Sequence, residues 1–270
     1  VPSHLEAGTR GFGVIGYGKL GGFELGYGSD LDLVFLHNAP RHVTTNGKKE
    51  IEAQQFYIKL AQRIMHLVNT TTLFGQLYET DLRLRPSGNA GLLCCHVDGF
   101  AVYQREEAWT WEHQALVRAR GILGDADLLA SFNSIREEIL SQQRDINELR
   151  TQVSDMRHKM REHLLSSSAD GVDLKQCEGG ITDIEFIVQF YVLAHSSDTP
   201  ALAEYTDNLR IIEATKHAGI IAETKATELQ NAYLKLRNQY HQLTLADSKY
   251  AQENDELDEI RQIVSGHWKT

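Results

Sequence analysis

Apolar and polar residues alternate along two stretches of the chain in the way that half-buried strands require. The first stretch, residues 30–33, follows a glycine-serine turn and begins the apolar run Leu31–Leu36, and the second covers residues 76–86. Apolar runs at Gly11–Ile15 and Leu92–Cys95 predict two further strands. Because successive side chains of a strand point to opposite faces, we expect a small sheet with one face packed on a core.

Other stretches place apolar residues three and four positions apart, which predicts helices. One lies over Lys49–Thr70, between two of the strands, and a second lies over Ile146–Leu164. A third begins at Thr182–Glu185, which has the spacing of a capping box, and a fourth covers Leu229–Leu243. After about Gly99 the strand signals nearly vanish, so the later helices are expected to pack as a bundle.

The pattern therefore predicts an α+β fold in two parts. A small mixed β-sheet lobe with helices, the expected catalytic lobe, occupies residues 1–122, and a helical bundle occupies residues 123–270. The serines at 166–168, together with Gly171, are expected to form a loop. The acidic stretch 247–259 is expected to be the solvated face of the last helix.

Composition narrows the class of protein. The 270 residues carry 27 basic and 37 acidic side chains, a net charge of −10, which argues against nucleic-acid binding because such proteins carry basic patches. No apolar run reaches the ~20 residues of a membrane span, and no signal-peptide pattern opens the chain. Cys94, Cys95 and Cys177 offer neither a disulfide framework nor a zinc pair, which fits a reducing cytoplasm. The start at Val1 is what we expect of a domain excised from a longer chain.

Candidate chemistry lies in the two alternating stretches. Asp30 and Asp32 share one face at the head of the first strand, and Asp81, Arg83 and Arg85 share one face of the second. If the strands are neighbours, three carboxylates and two guanidiniums converge, a set that suits a divalent metal and phosphate groups. Each element alone has a plainer interpretation, as a turn cap or as the solvated face of a strand. A site is indicated because the glycine-serine turn, the acid pair and the Asp-x-Arg-x-Arg stretch all suggest the same chemistry.

Two familiar phosphate-binding motifs fit the glycine-rich segment before the acid pair, and both fail. Gly16–Gly21 matches the dinucleotide fingerprint, but no full helix and second strand fit before the aspartates. Gly13–Lys19 matches a P-loop, but Leu20 replaces the Ser or Thr that would hold magnesium. What remains is a flexible turn whose backbone N–H groups are expected to hold a triphosphate. The residues expected to take part are Gly18, Lys19 and Ser29.

Taken together, these segments resemble the polymerase-β-like nucleotidyltransferases and, more closely, the glutamine synthetase adenylyltransferase family. The residues that carry the resemblance are 16–25, 29–36, 81–88, 109–120 and 178–186. The resemblance runs from about Gly11 to beyond Tyr191. Members of that family have two homologous halves, one that attaches AMP to glutamine synthetase and one that removes it. Trp111–Arg118 is similar to the AMP-attaching, C-terminal half.

The resemblance implies transfer of AMP from ATP to a tyrosine hydroxyl of glutamine synthetase, with release of pyrophosphate, in the regulation of nitrogen assimilation. Asp30 and Asp32 would hold two Mg²⁺ ions, or Mn²⁺ in their place, and Asp81 would share one of them or act as general base. The side chains expected to neutralise phosphate charge are Lys19, Arg83 and Arg85. The implied effectors are the PII signal protein and glutamine, and the other half of a bifunctional chain is the implied neighbour. Neither nucleic acid nor a membrane is an expected partner.

Two other functions stay open. One is phosphorolytic removal of AMP from glutamine synthetase, and the other is a non-catalytic module that binds glutamine or PII. Three intact aspartates argue against the non-catalytic module. The segment 178–185 has a plainer interpretation as a glycine turn leading into a capped helix. Trp109 and Trp111 are expected to pack in the core or between lobes rather than to stack on a nucleobase.

Overall fold

The computed structural model describes residues 11–40, 42–76, 78–164 and 171–268. Contacts divide these residues into two compact units, residues 11–25 with 29–139 and residues 26–28 with 140–268. The serines of the predicted loop at 166–168 lie outside the described residues.

The first unit is a mixed sheet of five strands with helices. Its elements, in chain order, are β1 (Phe12–Gly16), α1 (Gly18–Gly21), β2 (Leu31–His37), α2 (Ala53–Val68), β3 (Thr80–Asp81), a 3₁₀ turn (Gly88–Ala90), β4 (Cys94–His96), α3 (Val97–Glu106), α4 (Thr110–Val117), β5 (Arg120–Gly124) and α5 (Ala126–Leu140). The strands lie in the order β3-β2-β1-β5, and β4 also pairs with β2. β1 is antiparallel to its two neighbours, whereas β3 and β4 run parallel to β2. The predicted α+β class is confirmed.

The core of the first unit forms where β1 and β2 pack against α2. Val14, Leu33 and Phe35 belong to one buried cluster with Tyr57 and Ala61 of the helix. Burial does not alternate along these strands, because residues 13–16 of β1 and 33–37 of β2 are buried at every position. Both faces of the two strands are therefore covered, and the expectation of a single packed face was wrong. Helix α2 begins at Ala53 rather than Lys49, since the residues before it form a short antiparallel bridge.

The second alternating stretch is a strand only at its centre. Thr80–Asp81 pairs with β2, and residues 82–85 form a turn. The reason is local, because the Arg83 N–H donates to the Asp81 carboxylate at 2.8 Å and the Arg85 N–H donates to the Leu82 carbonyl at 3.3 Å. These hydrogen bonds use the backbone N–H groups of Arg83 and Arg85, which a longer strand would need to pair with β2. The prediction of a strand as far as residue 86 was therefore wrong.

Strand β5 was missed because glycines weaken its signal, yet glycines let a helix lie close to the sheet here. A Cβ on Gly121 of β5 would lie 2.7 Å from the Leu129 Cδ2, and one on Gly13 of the neighbouring β1 would lie 2.8 Å from the Leu128 Cδ2. Helix α5 therefore packs directly on the sheet and joins the first unit. The structural boundary accordingly falls near residue 140, and the functional division at 122 stays a prediction.

The two tryptophans that precede β5 are not core residues. Trp109 is 71% exposed and Trp111 is 37% exposed, so packing in the core is wrong for both, and packing between lobes stays a prediction. Trp109 lies at the start of α4, where its backbone N–H donates to the Glu112 carboxylate at 2.9 Å. Glu112, rather than either ring, holds the beginning of that helix.

The second unit is helical in its described residues, apart from a bridge between Val172 and Ala251. Its elements are α6 (Ile146–Leu164), α7 (Ile181–His195), a 3₁₀ turn (Pro200–Ala203), α8 (Asn208–His217), α9 (Glu223–Leu245) and α10 (Asp255–Trp268). α6 and α9 confirm the helices predicted from apolar spacing. The acidic stretch at 247–259 is helical only from Asp255 onward.

Helix α7 does not begin with the predicted capping box. It begins at Ile181 after Gly180, which offers no side-chain cap. Thr182 lies inside the helix, and its hydroxyl has no hydrogen-bond partner in the described part of the chain. Asp183 is fully buried and accepts the Gly179 N–H at 2.7 Å. Tertiary contacts, rather than a local cap, hold this helix start.

The three cysteines are free thiols. Within the described ranges, no helix combines the length and apolarity needed to cross a membrane.

Candidate functional site

The site forms where β2 and β3 run side by side. Leu31 lies opposite Thr80, and Asp32 lies opposite Asp81. The Leu31 N–H donates to the Glu79 carbonyl at 2.8 Å, one residue ahead of the two-residue strand β3. Asp30 precedes β2 and is exposed. The predicted neighbourhood of the two acid-bearing strands is confirmed.

Asp81 is held by Arg83. The Arg83 Nε lies 3.0 Å from Oδ1 and 2.8 Å from Oδ2, its Nη2 also contacts Oδ2, and its backbone N–H donates to Oδ1 at 2.8 Å. These hydrogen bonds lower the pKa of Asp81 against a smaller opposing effect of burial. The interaction with Asp81 raises the pKa of Arg83 in turn, with further contributions from the charges of Asp32 and Asp30. One guanidinium therefore lies within the field of all three aspartates.

An open pocket of about 560 Å³ lies at this edge of the sheet. Its polar lining includes Asp30, Glu79, Asp81, Arg83 and Arg85. Arg85 donates to the Leu82 carbonyl at 2.7 Å and to the Gly91 carbonyl at 3.3 Å. Its guanidinium therefore closes the turn after β3 and adds only a weak lowering of the Asp81 pKa. The predicted common strand face for Arg83 and Arg85 is replaced by this turn.

The glycine-rich turn lies against Asp32. The Tyr17 N–H donates to the Asp32 carbonyl at 2.9 Å, and Gly16 pairs with Leu33 in the sheet. Gly18 has φ +53°, and a Cβ there would lie 2.4 Å from the Asp32 Oδ2. The absence of a side chain at Gly18 is what lets the carboxylate approach the turn.

The other two predicted phosphate contacts differ in exposure. Lys19 is partly exposed in α1. Ser29 is only 4% exposed, so it offers almost no surface to a ligand. The structure thus leaves Gly18 and Lys19 as the accessible members of the predicted set.

The carboxylates fit a divalent cation by chemistry but are not gathered as a metal centre. In the part of the chain that the structure describes, no group of three or more His, Cys, Asp or Glu side chains converges closely enough to hold a metal ion. Both Asp81 oxygens contact Arg83 instead. Hard cations take carboxylate oxygens, and the register places Asp32 and Asp81 where they could share one. The donors therefore fit a divalent cation by their chemistry, while in this structure Arg83 binds the Asp81 carboxylate.

Three residues that contact the glycine-rich turn were not predicted from the sequence, namely Glu24, Arg118 and Arg120. Arg118 forms an ion pair with Glu24, and Arg120 donates to the Leu20 and Gly21 carbonyls at 3.0 Å each. The partners lie 94 to 100 positions apart in the chain. Hydrophobic periodicity carries no signal for such pairs, although both arginines lie in a segment that carried the family resemblance.

Family models match both units of the chain. Residues 1–135 match the model of glutamate-ammonia ligase adenylyltransferase, and residues 146–262 match that of GlnD PII-uridylyltransferase. The chain is similar to the bifunctional glutamine synthetase adenylyltransferase/adenylyl-removing enzyme of Alteromonas mediterranea, with 68% identity over 270 residues. That similarity covers 100% of this chain and 27% of the relative, so the chain spans about a quarter of the length of the curated relative it matches. The chain belongs to the glutamate-ammonia ligase adenylyltransferase family.

Proposed function

We propose that the chain transfers AMP from ATP to a tyrosine hydroxyl of glutamine synthetase and releases pyrophosphate. The observation that carries the proposal is the register of Asp32 against Asp81 across two parallel strands. Two carboxylates in that position repel each other unless a cation lies near them. Arg83 already supplies one positive charge there. A site that demands cations beside an open pocket suits a nucleoside triphosphate and its metal.

The transfer makes one bond and breaks one. The tyrosine oxygen attacks the α-phosphorus of ATP, and the bond from that phosphorus to the bridging oxygen of pyrophosphate breaks. The hydroxyl proton passes to Asp81 or to water, and the product is a tyrosyl-AMP phosphodiester. Asp81 serves either as this base or as a metal ligand, and we leave both roles open.

Charge neutralisation is the main contribution of the remaining residues. Asp30, Asp32 and Asp81 would hold Mg²⁺ or Mn²⁺, which would offset the charge of the triphosphate and lower the pKa of the attacking hydroxyl. Gly18 and Lys19 would bind phosphate oxygens from the glycine-rich turn, and Arg85 would add positive charge from the turn after β3. Arg83 would bind the phosphates after leaving Asp81, a movement that its 75% exposed side chain permits.

Partners follow from the family. Glutamine synthetase is the proposed protein substrate, and the PII signal protein and glutamine are the proposed effectors. The match of residues 146–262 to a PII-uridylyltransferase model supports the helical unit as the part that receives such signals. A cytoplasmic location and the link to the other half of a bifunctional chain stay predictions.

The test is incubation of the protein with α-³²P-labelled ATP, Mg²⁺ and unmodified glutamine synthetase. We expect label on a tyrosine of the target and release of pyrophosphate. Asp32→Asn should reduce transfer at least a thousandfold, because the substitution removes a ligand charge without changing side-chain size. Asp127→Asn, which alters an exposed aspartate in the first turn of α5, is the matched control and should leave transfer unchanged.

Other outcomes identify the alternatives. Phosphate-dependent loss of AMP from a modified target, without label transfer, would identify the removing activity instead. Absence of both reactions, with glutamine or PII still bound, would identify the non-catalytic module. An Asp32→Asn variant that turns over normally would exclude the metal assignment.

A further inference from the structure

The segment that follows the exposed tryptophans reaches the glycine-rich turn. The Arg118 guanidinium pairs with the Glu24 carboxylate, and their side chains are only 4% and 11% exposed. The Glu24 N–H donates to the Lys19 carbonyl at 2.8 Å. A buried ion pair therefore joins the far side of the turn to the residue that leads into β5.

Arg120 contacts the same turn two residues later. Its Nε donates to the Gly21 carbonyl and its Nη2 to the Leu20 carbonyl, both at 3.0 Å. Its Cζ lies 3.7 Å from the centroid of the Phe23 ring, a cation–π contact. The planar fork of arginine matches two adjacent carbonyl groups in a way that lysine does not.

The fit between the two segments leaves no room for a side chain. A Cβ on Gly21 would lie 1.9 Å from the Arg118 carbonyl oxygen and 2.5 Å from the Gly16 carbonyl oxygen. Backbone therefore packs on backbone here, and any displacement of residues 118–120 displaces the turn.

The segment that carries Arg118 and Arg120 is itself held in place by helix α5. Arg136 of α5, which is buried, donates to the Leu116 carbonyl at 3.1 Å and to the Val117 carbonyl at 2.6 Å. Arg120 also pairs with Gly16 in the ladder between β5 and β1. The turn therefore rests on a rigid support that extends through two helices and the sheet.

We infer that Glu24, Arg118 and Arg120 are positioning residues that hold the glycine-rich turn in its ligand-binding shape. The inference rests on the proposed function, because it takes Gly18 and Lys19 to be phosphate contacts. A turn with glycines at 16, 18, 21 and 22 has many backbone states in isolation. The three side chains select one of these states before the ligand arrives, and this pre-organisation lowers the entropic cost of binding.

The test compares Arg120→Gln with a matched control. Arg105→Gln removes a guanidinium that also donates two hydrogen bonds, at 2.7 and 2.6 Å, but donates them to Glu138, away from the turn. The probe is inorganic tripolyphosphate with Mg²⁺, measured by calorimetry on the whole chain, together with KM and kcat for ATP. Amide hydrogen exchange at residues 18–22 reports the turn without any ligand.

We expect Arg120→Gln to weaken tripolyphosphate binding and to raise KM for ATP by 10- to 100-fold, with less change in kcat. Exchange at residues 18–22 should accelerate at least tenfold, while the rest of the sheet exchanges as before. Arg120→Lys should recover part of the affinity, and Arg105→Gln should match the wild type in every readout. If Arg120→Gln does not fold, Glu24→Gln, which keeps the shape of the side chain, provides the same comparison.

Each failure has a distinct signature. A folded Arg120→Gln that binds tripolyphosphate as the wild type does, with unchanged exchange at 18–22, overturns the positioning role alone. A wild-type chain that binds no tripolyphosphate and transfers no AMP overturns the proposed function, whatever the exchange rates show. Uniformly faster exchange across the sheet would reduce Arg120 to a general stabiliser and would also overturn the inference.

Discussion

Arg83 binds both carboxylate oxygens of Asp81, and Asp81 lies directly opposite Asp32 on the neighbouring strand. The arginine therefore occupies the place on Asp81 that a divalent cation would need. Two like charges facing each other across a strand pair destabilise it, so this edge of the sheet requires positive charge in any state. Arg83 and a metal ion are alternative ways to supply it.

This competition predicts that Arg83→Gln binds Mn²⁺ more tightly than the wild type. The change frees the Asp81 oxygens and removes a repelling charge. At ~4 Å and an effective dielectric constant of ~20, two unit charges interact by about 4 kcal/mol. The Arg83 side chain is 75% exposed and screened by solvent, so we expect a gain of roughly tenfold in affinity. Paramagnetic resonance titration with Mn²⁺ measures it directly.

The control for this prediction is Arg85→Gln. Among the described residues, Arg85 donates its hydrogen bonds to two carbonyl groups, so its loss should change Mn²⁺ affinity much less. Weaker Mn²⁺ binding by Arg83→Gln would mean that the arginine supports the metal rather than competes with it.

Gly18→Ala should abolish transfer through a steric effect on Asp32. Gly18 has φ +53°, and the added Cβ would lie 2.4 Å from the Asp32 Oδ2. The backbone conformation alone costs an L-residue about 1–2 kcal/mol, and the carboxylate must move away as well. Loss of AMP transfer in a radioactive assay, with folding checked by urea denaturation, measures both effects.

Gly219→Ala separates the two effects of that substitution. Gly219 has φ +70°, but no atom of the described residues lies within 4 Å of an added Cβ, so its substitution adds backbone strain without a clash. We expect a similar loss of stability and unchanged transfer. Equal activity of both variants would show that Asp32 tolerates displacement and is not held by the turn.

The sequence predicted the elements that depend on local periodicity. Apolar runs predicted β1, β2 and β4, and three-four spacing predicted α2, α6 and α9, because these patterns record which residues of an element are buried. The same pattern failed at residues 82–85. There Leu82 and Leu84 alternate with two arginines, but hydrogen bonds from Arg83 and Arg85 close a turn instead.

The site depends on information that a single sequence pattern lacks. The closeness of Asp81 to Asp32 followed from pairing two strands with similar charge patterns, which was a correct inference. The Arg118–Glu24 pair joins residues 94 positions apart. The buried cluster of Asp183 with Arg157 and Arg161 joins residues 26 and 22 positions apart. Such partners are selected by tertiary packing, so local spacing cannot reveal them.

Asp183→Asn should destabilise the helical unit strongly. The Arg157 Nε lies 2.6 Å from the Asp183 Oδ1, and the Arg161 Nη2 lies 2.8 Å from Oδ2. The Arg157 and Asp183 side chains are 3% and 0% exposed. Removing one charge of a buried cluster leaves the others unpaired, which costs about 3–5 kcal/mol. Urea denaturation followed by circular dichroism at the helical band measures the loss.

Asp258→Asn is the matched control for the buried cluster. Asp258 pairs with Arg261 at 3.2 Å, but its side chain is 52% exposed. A solvent-exposed pair contributes about 0–1 kcal/mol, so this substitution should hardly change the free energy of unfolding. If Asp183→Asn left the free energy of unfolding unchanged, the two arginines would have to reach solvent or another acidic side chain in the variant.

The first unit should lose stability as the pH falls below about 6.5, and His37 should account for part of the loss. Burial lowers the pKa of His37 from its ordinary value of 6.5, against a smaller raising effect of the hydrogen bond to Gln54. The ring stacks on Tyr57 with 4.9 Å between centroids, so a proton adds a charge to a packed core. Since the folded pKa lies below the unfolded one, the stabilisation is complete above pH 6.5 and is lost as pH falls through the folded value. Urea denaturation between pH 7.5 and 5.0 should show this slope, and His37→Phe, which cannot take a proton, should flatten it. An unchanged slope in His37→Phe would assign the acid sensitivity to other groups.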